Sequence, residues 1–412
     1  MKSCRRKGSA YLLVLVAVLV TVAIGVTGSM VHKSRRERLS RTSEIERAKA
    51  IAQSGLELAV AYMQSDASWR KLRGLGVWTN DEPMMGGRLT VTAIDPDGSA
   101  TDDSTDDITL VSEGAFGRAR QSVSATFTPV PLPMDCLSYA SSSVGNTGFE
   151  KVITANAPIA SNGSMAASLA TVNANVYAAS SILGITYTKS KYPNSGKRQH
   201  PDSATVFDWY IANGTAINRS LLPGGDIDKV VLGPNSNPFG TPNARGIYVI
   251  DCAGNQIKIK DSRIEGTLVL LNPKSDSTIE NTINWKPAFP TLPALLIKGS
   301  ITIKPDDKVL SESSQKVNFN PPTMPYNGSS DSDQLDTYPT QITGLVYASG
   351  QITVENTVKL YGQFVSGAAM LFKKDAVTIT RDSTYYDNPP PGFSSGYNML
   401  LKTDSLARVV DD

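Results

Sequence analysis

Histidine occurs twice and cysteine three times in the 412 residues. The patterns that nucleophilic, zinc and nucleotide chemistry require (G-x-S-x-G, H-E-x-x-H, C-x-x-C, Walker A, G-x-G-x-x-G) are absent from any usable context. His32 stands at the edge of an apolar run and His200 in a Lys/Pro/Ser-rich loop that reads as solvated. The chain is therefore expected not to be an enzyme. A tethered polysaccharide-active enzyme is the weakest alternative, with Asp251, Asp261 and Glu265 as its carboxylates.

Charge is missing from residues 8–32, and the run follows a short basic leader, Lys2, Arg5, Arg6 and Lys7. Seventeen of the twenty-two residues 10–31 are hydrophobic. As a helix they would span about 33 Å, enough for a hydrocarbon core of roughly 30 Å. A single-pass anchor in the inner or cytoplasmic membrane is predicted, with an extracytoplasmic body. The basic residues flanking the run are more numerous on its far side, which by the positive-inside count alone would favour the opposite orientation. The Ser-, Thr-, Asn- and Gly-rich, β-prone body decides for export. Residues 1–50 carry +8 and the remainder −6, so lipid headgroups, and not nucleic acid, are the expected charged partner.

No proline interrupts residues 34–64, where Ile45, Ala48, Ala52, Leu56, Ala59 and Met63 recur at helical spacing. They form the packing stripe of one long helix, half in lipid and half docked on a folded body, with Ile51, Leu58 and Tyr62 widening it. Residues 79–83 read as a loop, and alternating runs at 88–94, 108–112 and 120–127 as a small antiparallel meander. Pro129, Pro131 and Pro133 read as a stiff linker. Beyond them, short aliphatic runs recur with glycine in a similar place. Gly344 and Gly362 are 18 residues apart and Gly246 and Gly266 are 20 apart, one coil of a parallel solenoid. The predicted class is α+β: a long N-terminal transmembrane helix packed on a small antiparallel sheet, then a mainly β domain, a right-handed parallel β-helix with a β-sandwich as the competing fold. The predicted domains are a leader over 1–8, a transmembrane helix over 9–31, a helix-and-meander module over 32–133 and a solenoid over 134–412.

This combination resembles the type IV pilin-like family, in particular minor pilins and pseudopilins of the PilX/GspK type, over about residues 5–128. Lys7-Gly8-Ser9 stands where the family's leader is cut after glycine, and residues 53–59 resemble its small-residue helical segment. The resemblance implies processing between Gly8 and Ser9 by a prepilin peptidase, and partnership with the membrane and other pilin-like subunits. It also implies a filament priming or tip role in a pilus or type II secretion system. Major pilins usually carry glutamate at the fifth mature position, where this chain has Leu13. A carboxylate in lipid is costly unless paired, so its absence removes one recruiting contact and points to a rare subunit. Two alternatives stay open: a surface adhesin or glycan-binding β-helix protein on the same anchor, and release by signal peptidase near 26–28.

Three further features are weighed. The acidic loop 95–107 offers Asp95, Asp97, Asp102 and Asp103 as calcium ligands, against a solvated, self-repelling hairpin tip. Cys136 and Cys252 are read either as a disulfide or as two unpaired buried thiols. Tyr385, Tyr386 and residues 389–393 are expected to cap the last coil.

Overall fold

The computed structural model describes residues 7–65, 69–95, 98, 106–187 and 189–409. The chain divides into two units, residues 1–130 with 397–412, and residues 131–396. The predicted boundary at 133/134 therefore falls a few residues late, and the solenoid does not run to the chain's end. Residues 397–409 leave it and rejoin the first unit.

In the first unit, α1 (Lys7–Ser65) is one continuous helix of 59 residues, about 88 Å at 1.5 Å per residue. The sheet comprises β1 (Gly76–Met84), β2 (Gly87–Ile94), β3 (Ile108–Phe116) and β4 (Ala119–Pro133), each antiparallel to the next. Strand Ser394–Leu401 lies next to β4 in the sheet order, and Ala407–Val409 pairs with Ser122–Ser124 of β4. Two expectations are corrected here. Residues 79–83 belong to β1, whose polar sequence suits an exposed edge interrupted by register shifts. The Pro129–Pro133 segment continues β4 instead of forming a free linker.

Alternation along the strands builds the core. Leu89, Val91 and Ala93 of β2, Ile108 and Leu110 of β3, and Val123, Ala125 and Phe127 of β4 turn inward. They meet Ile51, Ala52, Leu56, Ala59 and Met63 of α1, and Met399 of the returning strand completes the cluster.

The second unit is a parallel β-helix whose coils are three-sided. Ile247–Asp251 stacks on Thr267–Leu271, residues 258–260 on 278–280, and residues 262–265 on 283–286. Inward aliphatics such as Ile259, Ile279 and Ile303 lie in register from coil to coil and fill the interior. The glycine repeat marks neighbouring coils. Gly344 is the direct partner of Gly362, and Thr267 N–H donates to the Gly246 carbonyl at 2.9 Å. A side chain at Gly362 would overlap the Gly344 carbonyl.

Coil order does not follow chain order. One side of the stack runs from Thr215–Ala216 through strands at 247, 267, 295, 346 and 364. It continues with Ser141–Ser143, Ile159–Ser161, Val176–Ala178 and Lys191–Tyr192. The chain thus enters mid-stack, builds one end, and crosses over to start the other.

The outer surface of that side is also apolar, through Ile247, Val249, Val269, Leu296, Leu345, Tyr347 and Val365. Residues 134–137, the helix Asp208–Asn213 and residues 385–393 cover it. Buried on both faces, these strands read as unbroken hydrophobic runs. The expected end cap is corrected accordingly. Tyr385 and Phe393 cover a side of the stack, with Tyr385 Oη donating to the Leu292 carbonyl at 3.2 Å, while Tyr386 is exposed.

Candidate functional site on the long helix

The first half of α1 has no cover anywhere on its circumference. Tyr11 is 78% exposed, Leu13 73%, Ile24 68% and Met30 66%. An 18-residue stretch reaches a mean hydropathy of 2.5, and none of it is buried. So much contiguous apolar surface is unstable in water and demands lipid or other apolar helices. Both of its threonine hydroxyls are satisfied internally: Thr21 Oγ1 donates to the Ala17 carbonyl at 2.8 Å and Thr27 Oγ1 to that of Ala23 at 2.6 Å. This helix is a candidate single membrane span. The backbone of Gly8 and Ser9 lies in its first turn.

Past the basic collar of Lys33, Arg35, Arg36, Arg38 and Arg41 the same helix becomes a docked element. Ala48, Ala52, Leu56, Ala59 and Met63 are buried, together with Ile51. Ile45, expected to open the stripe, is instead 42% exposed, because sheet cover begins one turn later. What holds the helix at that level is polar. Glu44 Oε2 accepts the Arg118 N–H of the β3–β4 turn at 3.2 Å, and the Arg47 guanidinium lies 4.8 Å from the Phe116 ring centre.

Two glycines permit the close approach. A side chain on Gly55 would overlap Leu89 and Ser112, and one on Gly114 would come within 2.6 Å of the Ala52 nitrogen. Beside this contact, Gln53, Leu56, Val60, Ala125, Phe127 and Leu401 line an open groove of about 540 Å³.

The other sequence candidates are dispersed. Asp95 is buried and pairs with Arg70, Oδ2 to Nη1 at 3.7 Å, so its carboxylate serves the first unit's packing. Asp97, Asp102 and Asp103 lie outside the described residues. Cys136 and Cys252 are free thiols. They belong to different packing clusters, Cys252 to the solenoid interior and Cys136 to the cluster outside its wall. Burial pushes both thiols up, that of Cys252 to about 11, which leaves them protonated and unreactive.

The three carboxylates weighed for catalysis are not brought together. Asp251 caps a turn, accepting the Ala253 N–H at 2.9 Å. Asp261 ties one coil corner to the next, accepting Asn281 Nδ2 and Thr282 Oγ1 at 2.8 Å each. Glu265 is paired with Arg263 at 3.0 Å and Lys286 at 3.5 Å.

His200 departs from its solvated expectation. Its Nδ1 donates to the Arg198 carbonyl at 3.0 Å and its Nε2 accepts from Ser142 Oγ at 2.9 Å. Burial lowers its pKa below 6.5, against a raising contribution from the Arg198 carbonyl.

Two surface arrays were not anticipated. On one side of the solenoid, Asp228, Lys260, Glu280 and Lys304 are successive coil partners. Lys260 and Asp228 approach to 3.6 Å, and Lys304 and Glu280 to 3.1 Å. Burial raises the Glu280 pKa, but hydrogen bonds from Lys304 and Thr278 and the charges of Lys304 and Lys258 outweigh it and bring it below 4.5. On another side Tyr177 and Tyr192 stack at 4.4 Å between ring centres. Tyr139 stands edge-on to Tyr177 at 5.9 Å, and the Arg198 guanidinium lies 5.2 Å from the Tyr139 ring. Only the 15-residue interval between Tyr177 and Tyr192, one coil, could have signalled this stack.

No family model and no curated protein matches the chain. Among solved structures it is similar to the competence-associated pilin ComZ from Thermus thermophilus, at 14% identity and a TM-score of 0.35, covering 89% of this chain and 98% of that one. It is also similar to an ice-binding protein from an Antarctic biological consortium, at 10% identity and a TM-score of 0.28, covering 63% and 95%. A third similar structure is the ice-binding protein of the ascomycete Antarctomyces psychrotrophicus, at 11% identity and a TM-score of 0.23, covering 60% and 95%.

Proposed function

We propose that this chain is a membrane-anchored, type IV pilin-like minor subunit that primes or tips a filament of a pilus or type II secretion system, with no covalent chemistry of its own. One observation carries the reading: a single uninterrupted helix is bare and apolar in its first half and docked on an antiparallel sheet in its second. Such a rod is held in lipid before assembly and packs laterally against the helices of other subunits afterwards. Leu13 adds no carboxylate that would need a partner in that apolar setting. A prepilin peptidase is the implied processing partner, cutting between Gly8 and Ser9.

Amino-terminal sequencing of the mature membrane protein tests this. The expected start is Ser9, and a bulky residue in place of Gly8 should block maturation while leaving insertion intact. A start at Ser29, or an intact Met1, would remove the filament route.

The stacked Tyr177 and Tyr192, with Tyr192 41% exposed, favour a second reading. An aromatic face of this kind suits sugar rings, so the same anchor would then carry a glycan-binding adhesin. Retention on a glycan array that is lost in Tyr192→Ala, in a chain that fails to co-purify with filaments, would select it.

A further inference from the structure

A cleft of about 390 Å³ opens on the outer side of the solenoid, with Trp209, Arg245, Phe289, Thr291, Asn388 and Pro391 among its lining residues. Its walls are fixed. Phe289 opens a tight turn in which the Leu292 N–H donates to the Phe289 carbonyl at 2.9 Å, and Pro290 stands where proline sets the turn. Pro389, Pro390 and Pro391 restrict another wall, which Tyr210 Oη pins by donating to the Pro391 carbonyl at 3.0 Å. A phenyl ring held 46% exposed on such a turn forgoes burial that it cannot recover by moving.

Arg245 is braced into this cleft from two sides. Asn213 Nδ2 donates to the Trp209 carbonyl at 2.8 Å, which orients the amide so that its Oδ1 accepts Arg245 Nη1 at 2.9 Å. The Arg245 N–H donates to Asn243 Oδ1 at 2.9 Å, and the guanidinium lies 5.6 Å from the Trp209 ring centre. Among the described residues Arg245 has no carboxylate partner, and no acidic residue lines the cleft. Asn213 occupies only Nη1, so Nε and Nη2 are left, an edge that holds a carboxylate through two parallel bonds. The Asn388 amide, the Thr291 hydroxyl and Trp209 Nε1 likewise make no hydrogen bond among the described residues.

We propose that this cleft binds an acidic sugar of a glycan, a uronic acid or another carboxylate-bearing pyranose. The C–H face of the ring packs on Phe289 and Trp209, the carboxylate pairs with Arg245, and the Asn388 amide and Thr291 hydroxyl take sugar hydroxyls. A neutral sugar would leave the guanidinium without a counter-charge. A proline-rich segment would use the aromatic and proline walls but not the guanidinium. The cleft shares no lining residue with the stacked Tyr177 and Tyr192, and the proposal holds for a filament subunit as for an adhesin.

The test is titration of trigalacturonate into the full chain, solubilised in a detergent without a sugar headgroup and followed by calorimetry and tryptophan fluorescence. A Kd of about 1 mM or tighter is expected, with neutral maltotriose at least about tenfold weaker. Arg245→Gln should weaken trigalacturonate binding about tenfold or more, and Arg245→Lys, which keeps the charge without the two-pronged edge, should recover only part of it. Phe289→Ala should weaken it about three- to tenfold. Both side chains are exposed, so these variants should keep the wild-type circular dichroism, and Tyr192→Ala should bind as wild type does. Absence of heat and of any fluorescence change at about 10 mM trigalacturonate would overturn the proposal. So would equal affinity for maltotriose, or binding unchanged in both Arg245→Gln and Phe289→Ala, as attraction to the basic collar of α1 alone would give. Binding lost in Tyr192→Ala would move the sugar to the stacked tyrosines of the adhesin reading. Decaproline bound and weakened by Phe289→Ala, with trigalacturonate unbound, would assign the cleft to a peptide instead.

Discussion

Ser141 and Phe364 are in-register partners on adjacent coils, the first belonging to the earliest coil in the sequence and the second to the latest. The pairing continues through Met370 with Thr147 and Val377 with Ile153. The two halves of the solenoid are thus stacked directly on one another, and damage to one should be felt in the other.

Phe364 is fully buried in the solenoid interior, so Phe364→Ala should cost about 3–5 kcal/mol. Hydrogen exchange should show amides of 141–155 losing protection together with those of 364–379. Full protection of 141–155 in a variant loosened at 364 would break the inferred stacking.

Gly55 offers a test in which helix propensity and packing have opposite signs. In an exposed helix Gly→Ala stabilises by about 1 kcal/mol. Here the added carbon would overlap Leu89 and Ser112, so Gly55→Ala should destabilise by about 1–3 kcal/mol. A higher Tm for this variant would show that α1 does not sit as closely on the sheet as described.

The His200 pKa is depressed in the folded chain, so protons bind the unfolded state more readily. Its contribution to stability should be fully present above about pH 6.5 and be lost as pH falls through the lower folded value. Thermal melts between pH 7.5 and 5 should show this slope in wild type and a shallower one in His200→Asn. An identical pH dependence in both proteins would take the Ser142–His200 contact out of the account.

Local signals made much of the architecture legible. The Ala48-to-Met63 stripe identified the docked half of α1, and the spacing of Gly344 and Gly362 reported one coil because both residues occupy the same corner. Features set by distant partners left no local trace. β1 hides in a polar, proline-containing segment because an edge strand need not be apolar on either face. The mid-stack entry of residues 141–192 depends on pairing with residues beyond 360, which no periodicity reveals. Glu312, Asp331 and Asp333, whose carboxylate oxygens lie within 4.8 Å of one another, are gathered by the fold of the 306–340 insertion and share no local motif, whereas the acidic loop 95–107 is contiguous in sequence.

The return of Ala407–Val409 to β4, with Met399 buried against the α1-docking core, makes one sheet out of segments that lie far apart along the chain. A proteolytic cut just before residue 394 would leave the apolar half of α1 untouched, yet the docking sheet would lose the strands beside β4 and, with Met399, part of its filling.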